Sequence, residues 1–463
     1  MPVGVADLIH DAGVLHGLVD FIEEYCRERA RSQTYVDASG LFFRYVEGLA
    51  AGVKQQLNRE VDRATRFPGR LPVLRLNILT LKYYLRLLHA LLKPAADAHT
   101  LTIPAPLIEL ASNQLQGVEG MRNSRIVVLL TREFMYFQRP HTHIKEQARL
   151  VEAFLPRASF PAKLGFIELP YSQGPSFFTN LAIYHEIGHF VYEELSSLNP
   201  PHANVAALKS DISRASRRTF RDPQVSALAA KIMESWTQEI FCDLFAIRLA
   251  GPAFSFALVE ILGMLGFLSK QASVQFNPTH PASAYRFAEH VGMLSDDGWW
   301  TAIADVRPRQ KRLLEDFAGT ARTRYRFYLD DRRPGDPVLV DAFLDSVVPA
   351  IRKLVRRLTP DPSPAVKRFI KTRSSVEECL WAGVVPVTTT LGRPDPVSII
   401  NAAFCFYLTK LPALVRKFEA PGDRGDVAMH GLWMKRLEMW TMKSVEDSQI
   451  QARFRRMQRY GPF

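Results

Sequence analysis

His185, Glu186 and His189 stand in an H-E-x-x-H pattern inside the apolar stretch 181–195. That stretch has helical period, with Ile183, Ile187, Phe190 and Val191 along one side. Residues four apart on a helix lie one above the other. Two imidazoles at that spacing can converge on one metal ion, and the glutamate between them can reach a water held beside it. The chemistry implied is metal-assisted hydrolysis, with two ligands and a general base on one rigid element. Gly188 lowers helix propensity, which a helix kept for packing alone would tend to avoid.

A catalytic zinc takes three protein ligands and leaves its fourth position to water. The stretch 235–249 is again helical in period, with Ile240, Leu244 and Ile247 on its apolar side. Glu239 and Asp243 are four apart and share a face. Two acids on a buried helix are costly unless paired or ligated. The simplest reading makes Glu239 the third ligand and has Asp243 accept the ring N–H of one ligand histidine. Glu234 is a weaker substitute, with no acid four residues on. Glu193 and Glu194 are expected to face solvent. Cys242, His89 and the pair His141 and His143 are read as two core residues and two loop histidines.

H-E-x-x-H, then E-x-x-x-D-x-x-A at Glu239, Asp243 and Ala246, then Thr279-His280-Pro281 followed by Arg286, resembles the gluzincin pattern of the CAAX-prenyl-protease-like zinc metallopeptidases and their soluble minigluzincin relatives. The resemblance covers roughly residues 165–290. It implies a Zn2+ ion held by His185, His189 and Glu239, with Glu186 as base and Asp243 orienting a ligand. It further implies that His280 helps to stabilise the oxyanion, with Tyr285 as another candidate, and that Arg286 is a structural or charge-balancing partner. A peptide or protein is then the expected substrate. An edge strand beside the metal helix, able to pair with extended substrate, would suit that chemistry. The membrane members of that family have several spanning helices. Here the best apolar run, 254–268, is interrupted by Glu260 and is shorter than the ~20 residues a span needs. It reads as a core helix, so the chain should resemble the soluble branch.

The elements that must position these residues follow from pattern. The fold class expected is α+β, predominantly helical: a zincin-like catalytic domain with a small mixed sheet over 121–295, a helical domain over 1–120, and a helical domain of unassigned role over 296–463. Helices are expected over 9–29, 41–60, 71–92, 142–154, 203–218 and 401–418. Buried strands are expected over 125–131 and 164–171, with Pro170 marking an edge or an end, and an extended segment over 381–391. The four cysteines are far apart and residues 1–30 lack the pattern of a signal peptide, which suggests free thiols in a cytoplasmic protein. Net charge is +12, in dispersed clusters such as Arg352, Lys353, Arg356 and Arg357. These read first as solvated helix faces, then as a surface for an acidic partner, and last for nucleic acid, whose fold signatures are missing. The rival to a peptidase is a non-enzymatic interaction or regulatory protein on a zincin-like scaffold. An intact Glu186 speaks against it, since a structural metal needs no base. Nothing in the sequence fixes the oligomeric state.

Overall fold

The computed structural model describes residues 4–31, 38–98, 104–131, 137–139, 163–170, 176–198, 202–266, 279–304, 314–316, 328–330, 333–334, 337–387, 392–418 and 427–460. The chain is predominantly helical with two small sheets. It divides into two compact units, Met1–Ala105 with Asn123–Pro175, and Pro106–Arg122 with Ser176–Phe463.

In the first unit, α1 (Val5–Arg31), α2 (Ser39–Arg66) and α3 (Leu71–Asp97) each bury one stripe. Leu8, Ala12, Leu15, Val19, Ile22 and Cys26 make the stripe of α1, recurring every three or four residues. The same core takes in Val127 and Leu129 of β1 (Arg125–Thr131) and Leu164 and Phe166 of β3 (Leu164–Pro170). Alternate strand residues therefore point at the helices. With β2 (Phe137–Arg139) the strand order is β1-β3-β2. β3 runs parallel to β1, from Arg125↔Leu164 to Thr131↔Pro170, and antiparallel to β2, so the sheet is mixed. β3 is central and buried at every position. Pro170 ends this strand, where a missing N–H disturbs the ladder least. The expected helix over 142–154 falls outside the described residues, as do His141 and His143.

The second unit is a helical assembly. It contains α4 (Ala105–Leu115), α5 (Ile183–Ser197), α6 (Ala203–Thr219), α7 (Pro223–Ala250), α8 (Pro252–Met264), α9 (Ser283–Asp296), α10 (Trp299–Ala302), α11 (Pro337–Leu358), α12 (Ser363–Trp381), α13 (Pro396–Thr409), α14 (Leu411–Phe418) and α15 (Val427–Tyr460). A hairpin of β4 (Tyr328–Asp330) and β5 (Arg333–Pro334) adds a second sheet. The start of α7 is set by Asp222, whose carboxylate accepts the N–H groups of Gln224 and Val225 at 2.7 and 3.2 Å, with Pro223 in the first turn. From Glu239 to Ile247 every residue of α7 is buried. The helix turns sharply into α8 at Gly251, φ +75°. Asn401 of α13 stitches that corner: it donates to the Ala250 carbonyl and accepts from Ala253 N–H, both at 2.8 Å. A Cβ on Gly251 would lie 2.8 Å from the Asn401 amide nitrogen, so the corner requires glycine twice over.

One expectation is corrected here. The helix expected over 401–418 is broken into α13 and α14, bent by 59°. Pro412, near the start of α14, cannot continue the hydrogen-bond ladder of α13. Of the strand or extended segment expected over 381–391, Trp381 ends α12 and a turn follows at Gly383, φ +72°, residues 384–387 lie in neither helix nor strand, and 388–391 fall outside the described residues. Among the described residues no single helix is long and apolar enough to cross a membrane, although α13 with α14 passes by length and composition as a bent pair. The run around 254–268 is the short apolar α8, buried from Pro252 to Val259. All four cysteines are free thiols.

Candidate metal centre

Helices α5 and α7 cross at Gly188. A Cβ there would stand 2.8 Å from Cys242 Cα and 3.2 Å from its sulfur. Glycine is therefore what lets the two backbones approach this closely. The approach brings Glu239 and Asp243 of α7 against His185 and His189 of α5.

Four ring and carboxylate atoms converge. His185 Nε2 and His189 Nε2 are 3.1 Å apart. Glu239 Oε2 is 3.4 Å from the first, and Glu239 Oε1 is 3.3 Å from the second. Ligands at ~2.05 Å from a small cation in tetrahedral array stand about 3.3–3.4 Å apart. The three groups thus have the spacing of one face of such a tetrahedron. Glu239 Oε2 is buried and makes no hydrogen bond among the described residues; His185 Nε2 at 3.4 Å and Arg286 at 3.7 Å are its ion-pair neighbours. These residues can hold a metal ion.

His185, His189 and Cys242 also lie within 4.8 Å of one another and could form a ligand set. Glu239 is the better third member. Its oxygens stand 3.3–3.4 Å from the two imidazoles, whereas Cys242 is wedged against the α5 backbone at Gly188. Burial also pushes the Cys242 thiol well above its usual pKa, and the carboxylates of Glu239, Glu186 and Asp243 push it further, away from the thiolate that a metal requires.

Asp243 is tied from three sides. Its Oδ1 lies 2.9 Å from His185 Nδ1, the ring nitrogen that faces away from His189. Arg286 of α9 donates Nε to Oδ2 and Nη2 to Oδ1, both at 2.7 Å, and approaches Glu239 Oε2 at 3.7 Å. His290, one turn further along α9, places Nε2 3.2 Å from Oδ2. Burial disfavours the Asp243 carboxylate, yet Arg286, with His290 and His185, holds its pKa well below the usual range. For Glu239 burial is likewise outweighed, here by His189 and His185, and its pKa is well below the usual range. Burial opposes the charged His185 ring, but Asp243 and Glu239 raise its pKa to about 10. A metal taking Nε2 would therefore release a proton.

Glu186 is buried beside His185 on α5. His280 lies just before α9 with its side chain 41% exposed, Nε2 3.5 Å from Glu239 Oε1 and Nδ1 2.7 Å from the Thr279 hydroxyl. Burial and the nearby Arg286 lower its pKa against the pull of Glu239, favouring a neutral ring. Tyr285 is buried on α9. Glu234 pairs with Lys209 at 2.8 Å instead of joining the cluster. The expectation that Glu194 faces solvent is corrected: it is 1% exposed, because it continues the inward stripe Ile187, Phe190 and Val191 by another turn. Sequence reasoning passed over His290. Its signal was available, since Arg286 and His290 are four apart on one helix, as Glu239 and Asp243 are. No protein-family model, curated protein or solved structure matches the chain.

Proposed function

We propose that this chain is a zinc-dependent hydrolase of peptide bonds, acting on a narrow set of proteins or peptides, with a site of the gluzincin kind. The observation that carries this reading is the mutual spacing of His185 Nε2, His189 Nε2 and Glu239 at 3.1–3.4 Å, backed by Asp243 on the far nitrogen of His185. His185, His189 and Glu239 would hold the ion. A zinc ion there would supply Lewis acidity and bring the pKa of a water toward ~7. Glu186 would accept a proton from a water held there and deliver it to the leaving amine. His280, its side chain 41% exposed and Nε2 3.5 Å from Glu239 Oε1, would donate to the oxygen that gains charge. Asp243 and Arg286 keep the His185 ring in one orientation.

Metal analysis of the purified protein is expected to return about one zinc per chain. Glu239→Ala should lose it. Glu186→Gln should keep its zinc, yet cleave a proteome-derived peptide library ~100- to 10,000-fold more slowly than wild type. Wild-type rates from Glu186→Gln would overturn the mechanism, and full zinc occupancy in Glu239→Ala would remove that ligand.

A further inference from the structure

His290 has no part in the chemistry proposed above, yet it is wholly buried and aimed at it. Its Nε2 lies 3.2 Å from Asp243 Oδ2, an ion-pair distance, and makes no hydrogen bond among the described residues. Its Nδ1 lies 3.1 Å from the hydroxyl of Ser255 on α8, itself fully buried. The Ser255 hydroxyl can donate to Nδ1, and Nε2 is then the ring nitrogen turned toward the Asp243 carboxylate. The ring is fixed on its faces as well. It lies 5.8 Å from the Phe254 ring and edge-on to Phe287 at 5.3 Å. The same Phe254 stacks against His185, interplanar angle 11°. Four helices thus meet through one carboxylate.

We infer that His290 and Ser255 are positioning residues of the metal centre: the chain Ser255–His290–Asp243–His185 fixes the ring plane of His185 and presents its Nε2 to the ion. The inference rests on the metal-centre reading. Arg286 alone would neutralise Asp243, since it already takes both oxygens. What His290 adds is a further polar contact, 3.2 Å from Oδ2, that holds the carboxylate against rotation about the Arg286 fork. A hydrogen-bonded carboxylate behind a ligand histidine commonly contributes 10–100-fold in metal affinity.

The test is zinc affinity, measured by competition with a chromophoric chelator, alongside the melting temperature of the zinc-free protein. His290→Leu is expected to weaken zinc binding about tenfold, and His290→Gln, which can still donate to Asp243 and accept from Ser255, to recover most of that loss. Ser255→Ala, which removes one oxygen from a packed site, should weaken binding by a few-fold and covers the case in which His290→Leu does not fold. Wild-type affinity in Ser255→Ala, and in His290→Leu where it folds, with only the zinc-free melting temperature lowered, makes His290 a core residue and overturns the inference while leaving the metal centre standing. Equal loss in His290→Gln and His290→Leu also overturns it, because the polar contacts of the ring then contribute nothing. A wild-type chain that binds no zinc overturns the metal-centre reading itself, and the inference with it.

Discussion

Among the buried carboxyls described in the second unit, two groups hold protons with opposite strength. Where α5, α7 and α9 meet, Asp243 and Glu239 face Arg286, His185 and His189, and both are held well below the usual carboxylate range against the effect of burial. Where α8, α13 and α15 meet, Glu260 and Glu438 face mostly hydroxyls and one another. Glu438 accepts from Ser176 Oγ at 2.6 Å and from Phe178 N–H at 3.3 Å, and Glu260 bonds with Tyr407. There burial prevails and raises both pKa values. Both groups are largely buried. They differ in the cations within reach. A site that is to receive a dication needs its carboxylates ionised beforehand, and the first group has that property.

The most disruptive way to erase the difference is to take the cation away. Arg286→Ala leaves Asp243 buried without its bidentate partner, and removing one member of a buried pair typically costs ~3–5 kcal/mol. Arg75→Ala is the contrast, since its partner Asp7 is 71% exposed and such surface pairs contribute ~0–1 kcal/mol. Denaturant midpoints of the two variants should differ accordingly. Asp243→Asn combined with Arg286→Met should cost less than the two single changes added together, because the groups interact directly. Strict additivity would mean that the pair is not coupled.

The next effect is geometric. Gly188→Val overpacks the crossing of α5 and α7 and should destabilise by ~1–3 kcal/mol, with loss of zinc as Glu239 is pushed off the imidazoles. Gly48→Ala in α2 meets nothing within 4 Å and should instead stabilise by ~0.5–1 kcal/mol. Similar melting temperatures for the two variants would contradict the close crossing. Asp243→Asn should weaken zinc binding ~10- to 100-fold without abolishing it. Wild-type affinity in that variant would detach Asp243 from the metal centre.

The sequence carried the helix-bound parts of the site because period is local. His185 and His189, and Glu239 and Asp243, are each four apart on a helix, so each pair shares a face whatever surrounds it. What joins the pairs is tertiary. That Gly188 touches Cys242 cannot be read from spacing, and neither can the arrival of His290 at Asp243 beside Arg286. The burial of Glu194 follows from its place on the stripe of Ile187 and Phe190, which its charge does not override. The strands were legible from their apolar runs, but the central place of β3 depends on pairing partners far away in sequence. The same holds for their grouping with α1–α3 in the first unit, where the sequence had set them in the domain of the H-E-x-x-H helix.

The smallest expected effect separates the two carboxyl groups by pH. The folded chain raises the Glu438 pKa above 4.5, so it binds this proton more tightly than the unfolded chain does. The stability that this contributes is complete below about pH 4.5 and is lost as pH rises through the folded value. Glu438→Gln keeps an oxygen to accept from Ser176 and Phe178 but carries no proton to lose. Its melting temperature relative to wild type should therefore climb as pH rises from 4.5 toward neutrality. Asp243 behaves in the opposite sense. Its pKa is lowered below 3.8, so its contribution is complete above that value and is lost only as pH falls through the folded one. The deficit of Asp243→Asn should then stay constant from neutral pH down to about pH 5 and shrink only in stronger acid. Thermal melts of both variants across that range make the comparison. Parallel curves for Glu438→Gln and wild type would mean that Glu438 is solvated well enough to ionise freely. The contrast between a carboxyl cluster supplied with cations and one left without them would then lose its second half.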